Sequence, residues 1–218
     1  MCIRDRGSAL QACAVNDNVT YAALGLEEDE NLLIQDGFVV DKTTGVIRQY
    51  IGDVKELTIP AEIGGVTITG IDPYALTGKD FTYINLQIPL TELPNNLFAG
   101  LGNLASITLP ETITSVGESA FENCASLLNI TFGANSKLTS IGDYAFSGCV
   151  KLTGIDLPDT LETIGYRAFY QTAFVSLGLP ASIQSIGDYA FMNMTSLQTM
   201  DLSSVSADAS LGLSLIHI

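Results

Sequence analysis

A mainly β solenoid, with one coil for every 22–25 residues, is the fold class that this 218-residue sequence predicts. Three observations predict it. The first is a hexapeptide that returns at a near-constant interval: Val116-Gly-Glu-Ser-Ala-Phe121, Ile141-Gly-Asp-Tyr-Ala-Phe146, Ile164-Gly-Tyr-Arg-Ala-Phe169 and Ile186-Gly-Asp-Tyr-Ala-Phe191. Looser copies at Ile71-Asp-Pro-Tyr-Ala-Leu76 and Leu93-Pro-Asn-Asn-Leu-Phe98 give six, with last residues spaced 22, 23, 25, 23 and 22 apart. The second is an alternating apolar pair in the same phase, closed by proline in Leu57-x-Ile59-Pro60, Leu86-x-Ile88-Pro89, Ile107-x-Leu109-Pro110, Ile155-x-Leu157-Pro158 and Leu177-x-Leu179-Pro180, and without proline in Ile130-x-Phe132 and Met200-x-Leu202. The third is composition: 47% hydrophobic and 15% charged residues suit a folded chain rather than a disordered acidic one.

Taken in order, residues 7–35 carry the acidic run Glu27-Glu28-Asp29-Glu30 without periodicity and read as a linker or upstream fringe. Residues 36–52 alternate apolar and polar side chains about Asp41-Lys-Thr-Thr-Gly45, a hairpin pattern in which Gly45 supplies the positive-φ corner. Such a hairpin would cap the first coil, as solenoid ends require. Residues 53–212 are the repeats. In Ser106-Ile107-Thr108-Leu109-Pro110 the alternation turns Ile107 and Leu109 inward, and the proline, which cannot donate to the ladder, ends the strand. A second short strand is expected at Thr139-Ser140-Ile141. After the glycine, Asp143-Tyr-Ala-Phe146 reads as one helical or 3-10 turn capped by Asp143, with Ala145 and Phe146 inward. The 25-residue interval reflects extra residues around Gly133–Lys137, and another coil begins near Ser203. A period of 20–29 residues rich in Leu and Ile is that of a leucine-rich-repeat solenoid, whose coils bury their faces only against neighbours.

The two ends read differently. Met1-Cys-Ile-Arg-Asp-Arg6 and Leu213-Ser-Leu-Ile-His-Ile218 back-translate to reverse-complementary strings that match a sequencing-library adapter, so residues 1–6 and 213–218 are expected to be artefact flanking a fragment, with further repeats of the same chain after Gly212. Setting them aside removes His217 and Cys2 and leaves 7 basic and 23 acidic residues.

Charge and composition exclude several functions. A net charge of −15 offers no basic footprint for a nucleic-acid backbone. No stretch approaches 18 consecutive apolar residues, so no membrane insertion by this segment is expected. Without histidine, Ser-His-Asp and Cys-His catalysis are unavailable and zinc would have only scattered cysteines. No enzyme activity, no catalytic or metal residue and no cofactor are therefore expected. Cys124 and Cys149 share a repeat phase that would place their Cα atoms about 5 Å apart. That distance permits a disulfide, while a buried small apolar role also fits, since Leu101, Thr172 and Met194 fill the slot elsewhere. Cys13 in Leu-Gln-Ala-Cys13 faintly resembles a lipoprotein processing site but lacks the preceding apolar stretch. In the slot after the glycine, Glu118 and Asp143 are acidic on neighbouring coils but Tyr166 interrupts them, which suits capping better than the six to eight converging oxygens of calcium.

The alternation Ile-Gly-Asp-Tyr-Ala-Phe-x-x-Cys and Leu-x-x-Ile-x-Leu-Pro, introduced by a Gly-Phe-x-x-Asp-x-x-Thr-Gly hairpin and Ile63-Gly-Gly-Val66, resembles the BspA-like leucine-rich repeats over roughly residues 36–202. Leu76 for Phe, Pro94 for Gly, and the three replacements of Cys depart from that pattern. The resemblance implies a bacterial secreted or surface-exposed protein, extracellular in location, that adheres to a host or cell-surface protein or glycan. An accessory targeting repeat of a larger secreted enzyme, or a structural stalk, are the alternatives. Tyr144, Tyr166, Tyr170 and Tyr189 fall on adjacent coils near the turns, and tyrosine suits interfaces because it joins apolar area to a hydroxyl. With Thr108, Thr131 and Asp156 from the outward strand face they form the candidate partner-binding set.

Overall fold

The computed structural model describes residues 30–133 and 135–212. The two terminal hexapeptides, Cys13 and most of the expected linker lie outside the described residues.

Most coils contribute two parallel strands. A wide ladder joins Glu56–Ile59, Tyr83–Leu86, Ser106–Thr108 and Asn129–Thr131, with Leu57, Ile84, Ile107 and Ile130 in register. A narrow ladder joins Glu92–Leu93, Ser115–Val116, Ser140–Ile141, Thr163–Ile164, Ser185–Ile186 and Ser210–Leu211. The alternation read from the sequence holds: Ile107 and Leu109 are buried while Ser106 and Thr108 are partly exposed. Inside, Phe98, Phe121, Phe146, Phe169 and Phe191 stack face to face, with centroids 5.0, 5.1, 5.3 and 5.7 Å apart and ring planes within 22° of parallel. Hydroxyls on the narrow-ladder side reach back one coil. Thr112 donates to the Leu90 carbonyl at 2.6 Å, Thr160 to that of Leu138 at 2.7 Å and Ser182 to that of Leu161 at 2.6 Å.

The expected helical turn after the glycine is corrected. No helix occurs among the described residues; the segment is a run of tight turns. Ala145 N–H bonds to Gly142 C=O, Ser147 N–H to Tyr144 C=O and Cys149 N–H to Phe146 C=O, while Tyr144 (φ 56°) and Gly148 (φ 76°) are left-handed. Positive φ at the third residue of the first and last of these turns is the type II signature, and it breaks helical winding. The same pair, four residues apart, recurs as Tyr74/Gly78, Asn96/Gly100, Ser119/Asn123, Arg167/Gln171 and Tyr189/Asn193. The turn carbonyls and amides pair between coils instead, for example Phe146 N–H to Ala168 C=O at 2.7 Å.

The glycine that starts most of these turns, at Gly117, Gly142, Gly165 and Gly187, lies outside the left-handed region and is needed for space. A Cβ on Gly165 would lie 2.5 Å from Asp143 N, and one on Gly187 2.5 Å from Tyr166 N, both backbone atoms of the preceding coil. Gly165→Ala is therefore expected to lower stability by about 1–3 kcal/mol through overpacking. Gly154→Ala, where nothing lies within 4 Å of the added atom, is expected to be nearly neutral. Chemical denaturation of the two variants side by side checks this, and equal losses would refute it.

The cap is a meander. Phe38–Asp41 pairs antiparallel with Val46–Tyr50, which in turn runs parallel to Gly70–Ile71 of the first coil. The hairpin expected at 36–52 is present, and Leu32–Gln35, in the segment read as linker, adds a further antiparallel strand. Asp36 (φ 51°) and Gly37 (φ 81°) make the two-residue corner between them, the double positive-φ geometry of a type I′ turn. Asp41 Oδ1 accepts from the backbone N–H groups of Thr43 and Thr44, and Arg48 ties Asp41 at 2.8 Å to Asp72 of the first coil at 3.1 Å. The Arg48 hydrogen bond, more than any other contact, lowers the Asp41 carboxyl to a pKa of about 2.

Candidate binding surface

Tyr144, Tyr166 and Tyr189 meet edge to face along three successive coils, with centroids 5.3 and 5.9 Å apart and planes at 72° and 88°. Edge-to-face is the arrangement that aromatic quadrupoles favour. Arg167, which the sequence reading omitted, stands at the centre. Its guanidinium carbon is 5.1 Å from the Tyr166 ring, 5.2 Å from Tyr170 and 5.6 Å from Tyr189. It is therefore Arg167 that brings Tyr170 into the group, and Asn193 holds the Tyr170 hydroxyl at 3.0 Å. Arg167 Nε is buried without a hydrogen-bond partner, and among the described residues no carboxylate lies within ion-pair distance of the guanidinium. In a chain of charge −15, a cation set against three ring faces, with no carboxylate at ion-pair distance among the described residues, is a built feature. Partial burial, then the neighbouring Tyr166, raise the Tyr144 hydroxyl above the ordinary tyrosine range.

A sequence signal for Arg167 existed. Where flanking coils read Gly-Asp-Tyr-Ala-Phe, this one reads Gly165-Tyr-Arg-Ala-Phe169. The one-place shift puts Tyr166 in the column of Asp143 and Asp188, and Arg167 in the column of Tyr144 and Tyr189. Asp143 serves that junction in a way that corrects its expected role: its Oδ1 accepts from Tyr166 N–H of the next coil at 2.7 Å, as Asn95 accepts from Glu118 N–H at 2.9 Å. The side chain satisfies an amide between coils and caps no helix.

The other three candidates lie elsewhere. Thr108 and Thr131 are register partners on the wide ladder, and Thr108 Oγ1 is 3.3 Å from the Tyr83 hydroxyl. Asp156 belongs to the next coil, where the ladder stops: residues 153–157 form no strand, and pairing resumes only between Ser176–Gly178 and Thr199–Asp201. A cleft of about 490 Å³ opens there, lined by Thr131 and Asp156 together with Ser136, Asp159 and Thr160. Asp159, Ser136 and Thr160 were not singled out in the sequence because the gap in the ladder leaves no mark in the repeat pattern.

Cys124 and Cys149 are free, buried thiols that donate to carbonyls of the preceding coil, Phe98 at 3.1 Å and Phe121 at 3.2 Å. Burial pushes the Cys124 thiol up to about 12, far from a reactive thiolate. Among the described residues no cluster of three His, Cys, Asp or Glu side chains is arranged to hold a metal, and no helix is long and apolar enough to cross a membrane.

Residues 132–210 match the family described as "BspA type Leucine rich repeat region", in six copies. Over those residues the chain is similar to the BspA-type leucine-rich repeats. No curated protein sequence matches the chain. Among solved structures, a leucine-rich repeat protein from Bacteroides ovatus is 25% identical with a TM-score of 0.57, over 87% of this chain and 44% of that one. A leucine rich cell surface protein from Faecalibacterium prausnitzii is 24% identical with a TM-score of 0.56, over 80% and 53%. The T. pallidum leucine rich repeat protein is 21% identical with a TM-score of 0.51, over 78% of each chain. The chain thus spans under half of the first and about half of the second. The tyrosine group lies within the matched segment, and the cleft spans its start, with Ile130 and Thr131 just before it.

Proposed function

We propose that this chain is a non-catalytic binding module, secreted or displayed at a cell surface, that adheres to an extracellular protein or glycan. The observation that carries the reading is the Arg167–tyrosine group: four rings and a guanidinium that has no carboxylate partner among the described residues, held across three coils. Tyrosine and arginine are the residues that interface hot spots favour, because each presents large area at low conformational cost. Stacked coils hold these side chains at fixed spacing, so little ordering entropy remains to be lost on binding. The F. prausnitzii relative is named a cell surface protein, and the reading extends that location to this chain.

Tyr144→Ala and Tyr189→Ala are expected to weaken partner binding at least tenfold, with the unfolding midpoint lowered only by the lost ring contacts, about 0.5–1.5 kcal/mol each. A screen of residues 30–212 against immobilised matrix proteins and glycans supplies the partner. Saturable binding unchanged in both variants would move the site off the tyrosines, and no saturable binding to any probe would favour a stalk.

A further inference from the structure

The wide ladder is broken in mid-solenoid while the narrow ladder runs on unbroken past the same coils. Ser140–Ile141 pairs with Thr163–Ile164, yet no backbone hydrogen bond among the described residues joins 129–132 to 154–157, or 154–157 to 176–180. The coils are therefore closed on one side and parted on the other, beside Gly133 and residues 135–137. Side chains that should be core show the same opening. Ile107, Leu109, Leu177 and Leu179 are buried, whereas Ile130, Phe132, Ile155 and Leu157 are only half-buried. The backbone direction follows from pairing: Leu109 N–H donates to Thr131 C=O at 2.9 Å, so Thr131 faces the preceding coil. Alternation then aims the N–H and C=O groups of Ile130 and Phe132 into the gap.

A strand edge with unpaired amides and carbonyls is a template for another strand. Charge selects what fits. Asp156 and Asp159 line the cleft, Glu111 packs against Gly133 on its lip, and Lys137 lies outside the lining. The whole chain, at −15, draws cationic partners toward it. A second cleft of about 450 Å³ continues beyond Asp159 to Gly178 and Ser182, lengthening the acidic channel.

We propose that the parted ladder is a strand-addition site for an extended basic peptide segment of a partner protein, which pairs with the backbone of Ile130 and Phe132 while its lysine or arginine side chains meet Asp156 and Asp159. The inference rests on the binding-module reading and names a partner class and a surface for it, separate from the tyrosine group. Neighbouring coils lend the site its rigidity, and Thr131 and Thr160 offer hydroxyls at its mouth.

The test uses the full chain and three synthetic peptides: one alternating valine with lysine and threonine, its counterpart with glutamate for lysine, and a version N-methylated on alternate backbone nitrogens. Amide exchange at Ile130 and Phe132 is expected to be fast in the free chain and to slow at least tenfold with the lysine peptide alone. D156K together with D159K should exchange the preference to the glutamate peptide. A thermal midpoint near that of the parent shows that this variant is folded, and D159K alone, expected to weaken lysine-peptide binding several-fold, serves if it is not. Slow exchange in the free chain would overturn the proposal, because the ladder would already be closed. So would protection that grows with protein concentration and needs no peptide, which marks a second copy as occupant. Equal binding of the N-methylated peptide would overturn strand pairing in favour of bare charge attraction. If tyrosine variants abolish partner binding while Ile130 and Phe132 stay unprotected, this inference fails and the binding-module reading stands.

Discussion

Phe146→Ala is expected to lower the free energy of unfolding by about 3–5 kcal/mol. Phe146 is fully buried and stacks against Phe121 at 5.1 Å and Phe169 at 5.3 Å, with planes 5° and 3° from parallel. Truncation removes the transfer energy of the ring and leaves a void that two coils border. In a solenoid each coil is held by its neighbours alone, so both interfaces weaken together. Phe191, whose ring among the described residues stacks on Phe169 alone, borders fewer such contacts, and Phe191→Ala should cost less. Phe146→Leu should recover much of the loss, because Leu76 fills the equivalent slot of the first coil with no exposure. Urea denaturation read by far-ultraviolet circular dichroism gives all three values. A loss for Phe146→Ala no larger than for Phe191→Ala would show that the column does not couple the coils.

The period of the sequence carries this result, since a residue that returns every 22–25 positions inside a closed coil must stack on its own copies. The strand phases were legible for the same reason. What was not legible depends on interactions between coils. Ser119, Tyr144, Arg167 and Tyr189 adopt left-handed φ although none is a residue that prefers it, because the turn amides find their acceptors on the next coil and repay the local strain. Sequence favours a helix there; pairing across coils overrides it. The strand at Leu32–Gln35 had a local signal that went unread: Asp36-Gly37 between apolar runs is a type I′ hairpin corner. In the candidate site, the tyrosines were found because they are large and periodic. Arg167 was missed because it is a single exception within a column, and the cleft because a missing ladder has no residue type of its own.

Stability should fall as pH rises above about 9, and Cys124 should account for a separable part of that fall. Its thiol pKa stands at about 12 in the folded chain against an ordinary value of 9.0, with desolvation the main cause. Between those values the unfolded chain releases the proton and the folded chain keeps it, so the unfolded state binds fewer protons and gains on raising pH. Below pH 9 both states are protonated and the thiol gives no pH dependence. Each pKa unit corresponds to about 1.4 kcal/mol, so the loss from this group approaches about 4 kcal/mol near pH 12. Cys149 is shifted in the same direction by its burial, and Tyr50 and Tyr144 also rise, so the parent protein shows their combined slope. Subtracting the stability of Cys124→Ala from that of the parent at each pH isolates the one thiol. The variant is less stable at pH 7 because it leaves a small void, and the difference should shrink steadily from pH 9 upward. A difference independent of pH would place the Cys124 thiol in contact with solvent, and would contradict its donation to the Phe98 carbonyl inside the coil.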